Sequence, residues 1–262
     1  MSPVLAALIG GVAGFSIFLG LPVARVRGMP AAVQGFLNAL ALGVLIFLLW
    51  DIISHGSAPV QSSLLDLKHG RPGPFLGLAS IFALGLAAGL LVLIYFNRQL
   101  IGRAKGASGQ ASPRGLAMAL ATGLGFHNLS EGLAIGQSAA TGAIAFAGVL
   151  VIGFALHNIT EGFGIAAPMT MSDTRPSWGF LGLAGLIGGG PTLVGTMIGL
   201  FATSPYLSVL FLALAAGALI YVISEMFGIA RRLNTPPALG WGLLTGFLVA
   251  YSSDLLLTYL TV

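Results

Sequence analysis

Residues 125–136 read GFHNLSEGLAIG and residues 155–166 read ALHNITEGFGIA, so His-Asn-x-x-Glu-Gly occurs twice inside otherwise apolar runs. The copies lie 30 residues apart: His127 answers to His157, Asn128 to Asn158, Glu131 to Glu161 and Gly132 to Gly162. On an α-helix the histidine and glutamate are i and i+4, and the asparagine and glutamate i and i+3. The three polar side chains therefore share one face. Imidazole nitrogen and carboxylate oxygen are donors suited to a divalent transition metal, and two such helices side by side supply at least four. Single polar residues often only join transmembrane helices. An ionisable carboxylate at the bilayer centre, however, is unfavourable by about 2.5–3.5 kcal/mol on insertion scales. Meeting that cost twice, each time beside a histidine, points to a binding function.

Composition sets the surroundings of the repeat. Of 262 residues 56% are hydrophobic and only 7% charged, against about 25% charged in soluble domains. The chain reads as an all-α, polytopic membrane protein. It has no cysteine, which excludes disulfides, thiolate metal sites and cysteine nucleophiles. The net charge of +4 does not imply nucleic acid, because the eleven basic residues lie between the apolar runs.

Apolar runs of about 20 residues, enough to cross a bilayer, occur at 2–24, 31–54, 74–97, 115–138, 143–168, 177–202, 206–229 and 238–260. Eight transmembrane helices in one transporter domain, 1–262, are expected. The first run has no basic leader and is followed by Arg25 and Arg27, so it reads as a retained span. With the N-terminus outside, nine basic residues fall on the cytoplasmic side (Arg25, Arg27, Arg98, Arg103, Lys105, Arg114, Arg175, Arg231, Arg232), and only Lys68 and Arg71 fall outside. That bias orients the chain with both termini extracytoplasmic. Residues 98–114 read as a flexible basic cytoplasmic loop, and Gly56 to Gly73, with Asp66 and His69, as a solvated outer loop.

The fourth and fifth spans run antiparallel through a short turn, Ala139 to Gly142, which makes them neighbours. Equivalent motifs on antiparallel helices imply a local two-fold axis in the membrane plane and a site near mid-depth. Four further ionisable residues are candidates for lining a path. Asp51 and His55 lie at the outer end of the second span, Asp254 toward the outer side of the eighth, and Glu225 toward the inner end of the seventh.

The paired motif resembles that of the ZIP family of divalent metal transporters, and Ala216 to Glu225 (AGALIYVISE) resembles the family's seventh helix. The resemblance implies an eight-helix ZIP-like bundle that imports metal toward the cytoplasm. It also implies a primary site at His127, Glu131, His157 and Glu161, with Asn128 and Asn158 joining the bridging glutamates at a secondary one. Two departures stand out. Ser130 and Thr160 replace the proline that many members have before the motif glutamate, so straighter helices are expected. Gly190-Pro191 stands where many bacterial members have Glu-Pro, so a secondary-site carboxylate is missing; the run Gly188 to Pro191 predicts a broken or closely packed sixth helix.

Import of a divalent transition metal by alternating access is the leading reading, with zinc first and iron(II) and manganese also suited to the donors. The metal is then substrate, and no cofactor is expected. An intramembrane metalloenzyme is the enzyme alternative, but it would want His-Glu-x-x-His, and here asparagine follows each histidine. A proton-coupled transporter of another solute is the third reading. Expected partners are the metal ion and the lipid bilayer, with no nucleic acid; a homodimer is left open. The expected location is a prokaryotic plasma membrane, as a multi-pass protein. The charge bias makes a direct prediction. A cysteine at Ser108 in this cysteine-free chain will react with a membrane-impermeant thiol reagent only from the cytoplasmic face, and labelling from outside intact cells would invert the topology.

Overall fold

The structure, a computed structural model, describes residues 1–103, 112–142, 144–172 and 174–261. Among these residues it is all helical. The elements are α1 (Pro3–Phe15), α2 (Ile17–Gly20), a 3-10 turn (Leu21–Arg25), α3 (Ala31–Ser62), α4 (Leu64–Lys68), α5 (Pro72–Arg103), α6 (Pro113–Ala140), α7 (Ile144–Thr170), α8 (Trp178–Phe201), α9 (Pro205–Leu233) and α10 (Pro236–Thr261). Local chemistry sets the starts. Proline opens α1, α6 and α9, where its missing N–H costs nothing. The hydroxyls of Ser2, Ser112 and Ser177 accept from the N–H groups of Leu5, Gly115 and Phe180 at the starts of α1, α6 and α8. At the far end of α9, Asn234 adopts the left-handed conformation (φ 49°) that closes the helix.

Several expected boundaries move. The first apolar run is interrupted at Ser16, whose hydroxyl bonds back to the Ala13 carbonyl, and it tightens into a 3-10 turn around Pro22. The second does not end at 54: α3 continues to Ser62 and α4 follows at once, so most of the expected outer loop is helical. The polar residues there satisfy themselves along the helix. Ser54, Ser57 and Ser62 donate to carbonyls three or four residues earlier, and Arg71 pairs with Asp66 at 2.7 Å. The expected loop over 98–114 falls mainly on 104–111, outside the described residues, and its flanks 98–103 and 113–114 belong to α5 and α6.

Among the described residues, seven helices are long and apolar enough to cross a membrane, with α1, α2 and the 3-10 turn counted as one passage. The expected crossing over 115–138 forms α6, but its motif residues lower its mean hydropathy and it does not join those seven. At 28 residues it is nevertheless about 42 Å long, and it is the most enclosed element, packed against α7, α8 and α9.

Packing divides the helices into two sets. One contains α1, α6, α7 and α8, the other α3, α5, α9 and α10. Within each set backbones touch through glycine. A Cβ on Gly14 would lie 2.1 Å from the Gly189 carbonyl oxygen, and one on Gly132 2.0 Å from that of Thr192; in the second set, Gly43 and Gly89 would meet the carbonyls of Leu243 and Leu214 at 2.3 and 2.1 Å. Between the sets the neighbours are side chains: Gly123 faces Val222 and Gly164 faces Met226. Side-chain hydrogen bonds that join the sets include Ser208 to Gln137 at 3.0 Å near one end and Thr170 to Gln34 at 3.2 Å near the other.

This packing predicts that Gly132→Ala, which forces α6 off α8, will lower stability by about 1–3 kcal/mol. Gly190→Ala, whose Cβ meets nothing nearer than Leu186 at 3.4 Å, will be near neutral. Thermal unfolding of the two purified variants checks this; equal stability would refute the backbone-contact account.

Candidate functional site

The repeated motif folds twice in the same way. The Ser130 hydroxyl donates to the His127 carbonyl and the Thr160 hydroxyl to the His157 carbonyl, each at 2.7 Å. A proline at either position would remove a backbone N–H. With serine and threonine both α6 and α7 run unbroken through the motif.

All six motif side chains, His127, Asn128, Glu131, His157, Asn158 and Glu161, are buried, Glu161 completely. His127 Nε2 lies 3.2 Å from Glu131 Oε1 and 3.6 Å from Glu161 Oε1, so the two carboxylates flank one imidazole. Hydrogen bonding is largely unfulfilled. Both ring nitrogens of each histidine, both Glu131 oxygens and Glu161 Oε1 have no aligned partner. Buried polar atoms are rarely left so, because each costs about 1–3 kcal/mol unless something satisfies it. Among the described residues no three His, Cys, Asp or Glu side chains converge in ready-made metal-ligating geometry.

The two asparagines do different work. Asn128 Nδ2 donates to Glu161 Oε2 at 2.9 Å and to the Gly188 carbonyl at 3.0 Å, tying α6 to α7 and α8. Asn158 Nδ2 donates to the Ala13 carbonyl at 2.9 Å and so anchors α7 to α1. Sequence reasoning placed both asparagines beside a metal and missed these backbone partners. Only their Oδ1 atoms are without a partner.

A cavity of about 380 Å3 connects the motif with the path candidates, for its wall includes His127, Glu131 and His157 together with Asp51, His55 and Asp254. Ser130 and Thr258, not singled out from the sequence, also line it. At its rim the exposed His55 ring lies 3.1 Å from Asp51 Oδ1, one helical turn away. The cavity joins residues from both helix sets: α6 and α7 from one, α3 and α10 from the other. Asn128, Asn158 and Glu161 sit behind its wall. Glu225 does not reach it, lying half-buried toward the arginine-bearing end of α9, near Tyr221 and Arg232.

Helix α8 corrects one expectation. Gly190 is not on the motif side of α8: it borders an apolar groove of about 600 Å3 with Phe15, Phe126, Leu129, Leu186 and Val194. An acid placed there would enter the groove and not the site. The buried stripe of α8 is instead Gly185, Gly188, Gly189, Thr192, Gly195, Thr196 and Gly199, and Thr192 Oγ1 is fully buried without a partner. The helix stays continuous through Pro191, so close packing and not breakage is the role of its glycine run.

Comparison with known families matches residues 102–249 to the family described as ZIP Zinc transporter; the first three apolar passages lie outside the matched segment. No curated protein matches the chain. The family match spans more than half of the sequence and contains both His-Asn-x-x-Glu-Gly motifs, and on that ground the chain belongs to the ZIP zinc transporter family, whose members are metal transporters.

Proposed function

We propose that this protein imports a divalent transition metal, zinc before iron(II) or manganese, through the buried His/Glu cluster. One observation carries the reading: His127, Glu131 and His157 present unbonded nitrogen and oxygen atoms to a cavity whose outer wall holds Asp51, His55 and Asp254. In this reading α6 is an eighth crossing, both termini are extracytoplasmic, and the chain is one transporter unit. The acidic rim attracts the cation and helps it shed water. Inside, neutral imidazoles and the Glu131 and Glu161 carboxylates replace that water, and the two negative charges balance +2. Small side-chain rotations complete the ligand set, with Asn128 and Asn158 Oδ1 available to a weakly held second ion. Glu225 lies on the exit route.

Alternating access suits the packing. Toward the arginine-bearing end, fully buried Ile17, Leu120, Leu124, Ile165 and Met226 close the bundle below the cavity, which is the arrangement of an outward-open state. Backbone contacts through glycine hold each helix set together, whereas the two sets meet through side chains that can slide and repack.

Glu131→Ala or Glu161→Ala will nearly abolish radiolabelled zinc and iron(II) uptake into vesicles while leaving insertion intact. Uptake retained by both variants at normal expression would refute the site. Ligating imidazoles must be unprotonated, so zinc added to the weakly buffered protein will release protons. Metal counting will give one tightly held ion per chain, since two acids do not offset the repulsion of two divalent ions.

A further inference from the structure

At the end of the bundle opposite Asp51, the turn after α2 meets the turn between α7 and α8 around a second cavity, of about 290 Å3. Its wall carries three arginines, Arg25, Arg27 and Arg175, and three hydroxyl residues, Thr170, Ser172 and Thr174. Arg25 is fixed in place: its guanidinium donates to the Pro176 carbonyl and lies 4.6 Å from the centre of the Trp178 ring. Arg27 and Arg175 are exposed. The ion pairs among the described residues join His55 to Asp51, Arg71 to Asp66 and His127 to two glutamates, and include none of these arginines; Asp173, between Ser172 and Thr174 in the sequence, lies outside the described residues.

Three guanidinium groups around one small space repel each other, and each offers a planar fork of donors matched to phosphate oxygens. The hydroxyls add little: Thr170 donates to Gln34 and the Ala167 carbonyl, and Ser172 and Thr174, whose Oγ atoms are 3.1 Å apart, share one hydrogen bond and leave one O–H to offer. The position restricts what can occupy it. Trp178, Val26 and Met171 are exposed around the same turns, and a tryptophan at a helix end is the usual marker of the headgroup level. The volume is at the lower edge of the range for small-molecule pockets, about 300–1,000 Å3, and suits a headgroup better than a nucleotide.

We propose that this pocket binds the phosphate of an anionic phospholipid headgroup, held by Arg25, Arg27 and Arg175 where the bundle meets the cytoplasmic leaflet. The chemistry recognised is an anionic phosphate, which free inorganic phosphate would share. The site is independent of the His/Glu cluster, and its test does not require transport.

Native mass spectrometry of the whole protein, equilibrated with phosphatidylglycerol or phosphatidylcholine, reads the outcome. Wild type will retain one phosphatidylglycerol per chain in preference to phosphatidylcholine. Arg27→Gln with Arg175→Gln will reduce that retention roughly tenfold or more. Both side chains are exposed, so the fold is expected to survive, which a monodisperse elution profile verifies. Arg231→Gln with Arg232→Gln, two charges at the same end but outside the cavity, will leave retention unchanged. Retention unaffected by the first pair, or reduced equally by the second, would overturn the proposal. Inorganic phosphate is the separate arm: displacement of bound phosphatidylglycerol by phosphate supports the shared chemistry at this pocket. Phosphate binding without any lipid preference overturns the lipid source.

Discussion

The dehydration of two carboxylates and two imidazoles inside an apolar bundle is the constraint on which the rest of the structure depends. Glu161 has no exposed surface, and its one aligned partner is the Asn128 amide, which also holds the Gly188 carbonyl. That small network fixes three helices at a separation only glycine permits. The carbonyl oxygens of Thr192 and Gly189 approach Gly132 and Gly14 more closely than any Cβ would tolerate. Polar chemistry at the centre and small residues around it are thus one requirement. Without the close walls water would reach the acids, and without the acids the close walls would have nothing to enclose.

The second helix set gives the cavity its charged outer edge, Asp51, His55 and Asp254, together with Phe47, Leu48, Ile52, Leu212 and Thr258. Its internal contacts repeat the glycine-to-carbonyl pattern, and its border with the first set does not. A cavity built across such a border changes shape when the sets shift, while the motif helices keep their own geometry. Two of the hydrogen bonds that cross the border, Ser208–Gln137 and Thr170–Gln34, lie at opposite ends and use side chains alone. Neither requires a backbone bond to break when it opens.

Most of the helices, and the buried clustering of the two motifs that makes them a candidate site, were legible in the sequence. Long apolar runs and a motif at i, i+1 and i+4 are local signals, and local geometry converts them directly into helices with a polar face. What was not legible depends on which neighbour a helix face meets. The amide of Asn158 turns to Ala13, 145 positions away in the chain, and nothing near either residue announces that contact. The extension of α3 past His55 was hidden because serines that bond back along their own helix look like loop residues in composition. Gly190 is different, since a signal existed. Small residues recur along α8 at 185, 188, 189, 192, 195, 196 and 199, and position 190 lies off that stripe. Aligning it with a family glutamate ignored the helix's own periodicity.

The interleaving of the two sets along the chain has a consequence for biogenesis. The first set takes its opening member from Pro3–Phe15 and its closing one from Trp178–Phe201, while α3 and α5 of the second set are made between them. When α1 enters the membrane, the helix that covers Gly10 and Gly14 has yet to be synthesised; Thr196 and Gly189 lie 186 and 175 residues further along the chain. Until then α1 shows lipid a strip of small residues, and the Ala13 carbonyl has only the local Ser16 hydroxyl as a side-chain donor. Neither set closes before the last third of the chain is inserted, so assembly is a late, concerted event in which the site-bearing helices wait for a partner that arrives long after them.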